Sequence, residues 1–351
     1  MIDHRVRAIQ LLLRAEAEIA LLERTRPVGL AHETARLLAA WRAGRHESPR
    51  LRYARSPELG QLLRALGILA DQAEVQFADG AWVADRAREL MLEARLVESI
   101  GRTRFIALAC QRHVVPRHVD AVVLEAEARQ WIEQGADSID NGPRFLSEDR
   151  AVPESLWSVT SRRMGALGVR ARLRADPDLV SIAACGEDLI VIRAGAWLTE
   201  RAAQRIAEHE TVGHLLPRVA CRNRSDILRC GCARATDDEE GRALLIEERQ
   251  GLMDSSRRAE LGVRHLACAY MRRGATFVDA VRCLLELGAP LETAIRAMLR
   301  AVRGGGLGRE LVYLPSMQRL RIAFSEAPEL EQWFRLGRAS LDYALWMQAR
   351  R

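Results

Sequence analysis

The chain has 351 residues, 53 basic against 47 acidic side chains and a net charge of +6, and every one of the basic residues is arginine. The absence of lysine excludes a phosphate-binding P-loop and any mechanism built on a lysine Schiff base or lysine general base. Chemistry is left to His, Cys, Asp, Glu, Ser, Tyr or a metal.

Hydrophobic residues make up 48% of the chain, enough for the core of one large or two medium domains. Apolar stretches such as Leu189 to Ile192 fall far short of the roughly 20 residues of a membrane span, and no signal peptide is read, so no membrane partner is expected. Seven cysteines are an odd number, and Cys230 and Cys232 are separated by one residue rather than the two of a zinc knuckle. A reduced, cytoplasmic protein with its cysteines as small core residues fits best. Arginines interleave with glutamates, as from Arg86 to Arg95, and aromatics are only 5%, so solvated helix faces account for the positive balance and no nucleic-acid partner is expected.

In chain order, residues 5 to 129 place apolar side chains at three- and four-residue intervals, for example Ile9, Leu12, Leu13 and Ile19, and are read as mostly helix. The polar, turn-rich stretch 135–153 reads as a linker, which suggests a helical region over 1–155 and a second region over 156–351. Val169, Ala171 and Leu173 alternate with arginines in the two-residue period of a strand. Residues 180–184 and 189–193 flank the turn Gly186-Glu187-Asp188, which predicts a short antiparallel meander. Thr199 is then a suitable N-cap for a helix running toward His209. Beyond Ala243 the chain returns to helix, interrupted by Arg303-Gly304-Gly305-Gly306 and by a short strand at Leu311 to Leu314, stopped at Pro315.

The informative segment is His209-Glu210-Thr211-Val212-Gly213-His214. In the usual zinc-peptidase helix the histidines are four apart, about 40° from alignment, and the intervening glutamate faces the metal-bound water. Five residues give about 140° on an ideal helix, so a π-bulge or a break at Gly213 is needed to restore a common face. A third ligand is offered by Thr236-Asp237-Asp238-Glu239-Glu240-Gly241. Thr236 and Glu239 read as a capping box opening a helix on which Glu240, Ala243, Leu244 and Glu247 share a face. Glu240 is the candidate ligand, Glu247 the next, and Glu239 a cap. Two histidines and one glutamate make an open zinc site with room for water.

These residues resemble the metallopeptidases named for their QEGLA motif, a family that includes the vertebrate microtubule-associated tyrosine carboxypeptidase. The resemblance rests on His209 to His214, on Glu239-Glu240-Gly241-Arg242-Ala243 in the place of QEGLA, on Arg300-Ala301-Val302-Arg303-Gly304-Gly305, on Val312-Tyr313-Leu314, and on Trp41-Arg42-Ala43-Gly44-Arg45. It implies an α+β, mostly helical, gluzincin-like fold with a small antiparallel sheet packed on a zinc-binding helix. It further implies Zn2+ as cofactor, with His209, His214 and Glu240 as ligands and Glu210 as general base to an attacking zinc hydroxide. The activity implied is that of a carboxypeptidase acting on the C-terminus of a protein or small biosynthetic peptide. Val212 and Gly213 stand where the family has glycine and threonine, and the steps between its motifs are replaced by residues 222–228.

Arg300 and Arg303 are candidates for the terminal carboxylate, since a guanidinium fork suits it and the glycines let backbone approach a ligand. Arg222 and Arg224 are further candidates, and Tyr313 is a candidate donor to the developing oxyanion. The strand Leu189 to Ile192 is expected to offer an edge to an extended peptide. His265 is read as a core histidine or one behind the site, His32-Glu33 as a surface pair, and Cys230 and Cys232 as small core residues, with a second metal or redox pair the alternative. A non-catalytic regulatory protein keeping the fold, or a zinc amidohydrolase on a non-peptide amide, remains the alternative. The oligomeric state is not read.

Overall fold

Helical periodicity in the N-terminal third becomes a set of amphipathic helices, among them His4–Ile19, Leu30–Arg42, Gly60–Gln76, Gly80–Glu98, Arg104–Arg112 and Ala121–Gly135. The computed structural model describes residues 4–115, 119–135, 142–177 and 179–350 and is mostly helical. Part of the expected linker, residues 136–141, lies outside the described residues.

The chain divides into two compact units, Met1–Ser138 with Ser255–Pro315 and Ile139–Asp254 with Ser316–Arg351. The regions read from sequence have one crossing near residue 155, whereas here the chain crosses three times, and residues 255–315 group with the N-terminal helices. The reason is the apolar face of helix Ser255–Arg272, whose Leu261, Val263, Leu266 and Ala267 are buried, and helix Leu291–Gly306, which buries Ala294, Ile295 and Met298. The first unit is thus a helical core around side chains such as Leu12, Leu37, Leu66 and Leu90, all fully buried. It also buries an ionic chain in which Arg112 reaches Glu93 at 2.7 Å and Glu89 at 3.2 Å, while Arg86 pairs with Glu89. Glu33, expected on the surface, is buried here by hydrogen bonds to Arg36 and to the Arg50 amide.

Among the described residues, the five short strands all lie in the second unit. β1 (Arg144–Leu146) pairs antiparallel with β5 (Trp197–Thr199). β2 (Arg172–Asp176), β3 (Ala183–Cys185) and β4 (Leu189–Arg193) form a separate sheet in the order β2-β4-β3. β3 and β4 are the expected antiparallel hairpin, but β2 pairs with β4 in parallel, so the sheet is mixed and not an antiparallel meander. The most apolar strand takes the centre: Ile190 and Ile192 are fully buried, while Arg172 and Arg174 on β2 are exposed at an edge, where charge is tolerated. Leu189 to Ile192 therefore presents no free edge to a peptide. Ile190 and Ile192 pack with Leu156, Val159 and Met164 of helix Leu156–Ala166 and with Ala203, Ile206 and Ala207 of helix Glu200–Glu208. The sheet is the platform for the helix that leads into the histidines.

The expected strand at Leu311 to Leu314 is instead a 3-10 turn, Arg309–Val312, followed by helix Tyr313–Glu326. Pro315 does not stop it, because a proline in the first turn of a helix forfeits an amide hydrogen that has no intrahelical partner there.

Candidate metal centre

Helix Glu200–Glu208 begins at Thr199, whose hydroxyl accepts the Ala202 N–H at 3.3 Å as the sequence leads one to expect. Directly after it the chain forms a π segment, His209–Leu215. Each π turn is closed by a bond reaching five residues back instead of four. Residues 209 and 214 therefore come to one face, with their Nε2 atoms 3.2 Å apart and their rings edge to face. Of the two remedies for the five-residue spacing the chain uses the π turn, and glycine at 213 serves a different end. A Cβ there would lie 2.7 Å from Ala243 Cβ, so only glycine lets the π segment approach helix Ala235–Arg249 this closely.

That helix carries Glu240, with Oε2 3.6 Å from His209 Nε2 and Oε1 3.8 Å from His214 Nε2. Among the described residues, His209, His214 and Glu240 are the group that could hold a metal ion, offering ligand atoms all within 4.8 Å of one another. Two imidazole nitrogens on one tetrahedral zinc, at about 2.0–2.1 Å each, stand about 3.3 Å apart. The observed 3.2 Å is thus already the spacing a metal requires. Burial disfavours charge on His209, but the Glu240 carboxylate nearby, the hydrogen bond with Glu247 and the charge of Glu247 and Glu210 outweigh this and push it up to about 10. Such surroundings favour positive charge, which a proton or a divalent metal can supply. Glu210 is buried beside the histidines, and its Oε2 has no hydrogen-bond partner.

The rest of the acidic run differs from a capping box. The helix starts at Ala235 after Arg234 in a left-handed conformation, with no side-chain cap. Asp238 is held by Arg319 at 2.6 Å and by the Leu341 amide at 2.8 Å. Glu239, expected as the cap, points inward to Arg218 at 3.0 Å and Arg338 at 3.4 Å, with His214 Nδ1 at 3.6 Å. Burial opposes its ionisation, but these arginines and His214 hold the carboxyl far below its usual range. Glu247, the second candidate ligand, sits on the other side of His209, its Oε1 2.7 Å from Nδ1. Arg242, which replaces the leucine of QEGLA, donates to the carbonyls of Val212 at 3.2 Å and Gly213 at 3.3 Å, satisfying acceptors within the π segment.

Arg218, Arg338 and Arg242 escaped the sequence reading. Arg338 lies 99 positions from Glu239 and Arg242 is 29 from Gly213, so no local spacing announces them. The face shared by Glu240 and Glu247 was the one available signal for Glu247.

The remaining candidates are not members of this group. Arg222 is exposed, and Arg224 is engaged with Asp226 at 2.9 Å. Arg300, Arg303 and Tyr313 belong to the first compact unit. Arg300 is paired with Glu310 at 2.7 Å, Arg303 is buried with its Nε lacking a hydrogen-bond partner, and Tyr313 is buried at a helix start with the Arg309 guanidinium 5.5 Å from its ring. His265 is also in the first unit, where burial lowers it to about 4. Cys230 and Cys232 are buried and form no disulfide, and they belong to no metal-holding group among the described residues.

Two histidines on a π turn and a glutamate from a neighbouring helix, with a buried glutamate directly after the first histidine, form a group that could hold a metal ion in a mostly helical protein. A family model for the microtubule-associated tyrosine carboxypeptidase matches residues 41–350, and the chain belongs to that family. No curated protein and no solved structure matches it. Among the described residues no helix is long and apolar enough to cross a membrane.

Proposed function

We propose that the protein is a zinc-dependent carboxypeptidase that releases a C-terminal residue from a protein or peptide. The observation that carries this reading is the preset Nε2–Nε2 separation of 3.2 Å, closed by the Glu240 carboxylate, in a chain of a family named for a carboxypeptidase. His209, His214 and Glu240 would hold the zinc. When bound, zinc polarises a carbonyl and makes water acidic enough to supply a nucleophile near neutral pH.

Glu210 then acts as general base. Its Oε2 is buried and has no competing donor, so it is available to take a proton from water and return it to the leaving amine. The helix Ala235–Arg249 supports the reaction by holding Glu240 against the π segment, an approach that requires glycine at 213. By the family resemblance, Arg303 is the proposed partner of the substrate's terminal carboxylate, which its guanidinium fork suits. Arg300 is already matched by Glu310, and Tyr313 is retained as the proposed oxyanion donor.

The test is zinc content together with hydrolysis of peptides that end in tyrosine. Glu210→Gln is expected to keep about one zinc per chain while losing roughly 100- to 10,000-fold in kcat. Activity within a few fold of wild type would refute the base. A zinc-loaded wild type that cleaves neither peptides nor small amides would favour the regulatory alternative.

A further inference from the structure

The group His209, His214 and Glu240 uses one nitrogen of each imidazole, and in both rings it is Nε2 that faces the partner residues. The other nitrogen of each ring faces a buried carboxylate. Glu247 Oε1 lies 2.7 Å from His209 Nδ1, with no part of the Glu247 side chain exposed. Glu239 Oε2 lies 3.6 Å from His214 Nδ1. Both carboxylates come from the helix that supplies Glu240.

The spacing explains how one helix serves both rings. Seven residues are almost two full turns, so Glu247 stacks about 20° from Glu240 and meets the back of His209. Glu239 is about 100° around the helix and meets His214 instead.

A neutral imidazole that offers Nε2 to a metal carries its proton on Nδ1, and that N–H needs an acceptor which also fixes the plane of the ring. The two carboxylates are unequal in this respect. Glu247 is at hydrogen-bond distance from its histidine, and its other oxygen lies 3.7 Å from Arg205. Glu239 is beyond hydrogen-bond distance from His214, whose Nδ1 has no hydrogen-bond partner, and its charge is matched by Arg218 at 3.0 Å and Arg338 at 3.4 Å. Where the QEGLA motif has an amide, this chain has a charge, and two arginines offset it.

We propose that Glu247 is the positioning residue of the metal centre: by accepting the His209 Nδ1–H it selects the tautomer that presents Nε2 and locks the ring, while Glu239 is committed to Arg218 and Arg338 and orients His214 only weakly. This rests on the metal reading of the site. It does not depend on which bond is cut.

The experiment is zinc affinity by competition with a chromophoric chelator at fixed pH, for wild type, Glu247→Gln and Glu239→Gln. Glu247→Gln is expected to raise the Kd about 10- to 100-fold, the range for losing a carboxylate behind a ligating histidine. Glu239→Gln is expected to change it by less than about threefold. In zinc-loaded protein labelled with nitrogen-15 at histidine, the His209 Nδ1–H resonance should shift in the Glu247 variant and stay in place in the Glu239 variant, a readout that a merely structural role would not move. If Glu247→Gln does not fold by circular dichroism, Glu247→Asp replaces it, keeping the charge but pulling it back by one methylene, with an intermediate loss of affinity expected. A folded Glu247 variant that binds zinc within about threefold of wild type overturns the proposal. A wild type that binds no zinc overturns the metal reading beneath it.

Discussion

Around His209 carboxylates outnumber cations, whereas around Glu310 guanidinium groups outnumber carboxylates. In the second unit Glu240, Glu247 and Glu210 surround one histidine and push it up to about 10 against the effect of burial. In the first unit Glu310 is held down to about 2, despite burial, by Arg300, Arg303 and Arg264. Arg303 and Arg264 are themselves lowered, chiefly by burial. A buried histidine there goes the opposite way from His209: burial and then Arg112, Arg309, Arg272 and Arg303 push His113 well below its usual value. The same residue type is pushed up in one setting and down in the other. A buried surplus of one sign is costly unless a ligand of the other sign meets it. The acidic surplus fits a metal, and the basic surplus fits an anion such as a carboxylate.

The largest expected effect tests the acidic side. His209→Ala or His214→Ala leaves two protein ligands, and zinc in dialysed protein should fall from about one per chain to near zero by elemental analysis. Stoichiometric zinc in both variants would remove the site. Arg303 tests the basic side: amidating the C-terminus of a good substrate should cost about 2 to 5 kcal/mol in transition-state binding, and Arg303→Ala should erase the difference. Equal kcat/KM for free-acid and amidated peptides in the wild type would point to an endopeptidase instead.

The smallest effect concerns stability. His265 titrates at 6.5 unfolded and is lowered by burial to about 4 in the fold. Between these values the unfolded chain takes up a proton that the folded chain refuses, so stability is complete above pH 6.5 and is lost as the pH falls toward 4. The loss from this group is on the order of 3 kcal/mol. His265→Gln should flatten the fall in the urea midpoint over that window, and an unchanged slope would assign it to other groups, His113 among them.

Much of the centre could be read directly. The His209 and His214 pair, Glu240 downstream and the need for a π-bulge or a break between the histidines follow from residue types and spacings, because ligand chemistry and helical geometry are local rules. The Thr199 cap follows for the same reason. The sheet was misjudged because strand order is not a local property: β4 moved to the centre once Ile190 and Ile192 had to be buried on the platform beneath the helix. Leu311 to Leu314 looked like a strand because a short apolar run before proline fits either a strand end or a helix start.

By itself the sequence determined which atoms can bind a metal and that the helix carrying them must be overfilled by one residue. Only the tertiary structure decided what stands behind those atoms. Glu239 was free to cap its own helix, yet it turns inward because Arg218 and Arg338 arrive from distant segments to neutralise it. Glu247 lies at 2.7 Å from His209 because Gly213 lets two helical segments close to contact. Ligand identity is written in side-chain chemistry, which the chain states residue by residue. The balance of buried charge depends on partners many residues apart, and it exists only once the chain has folded.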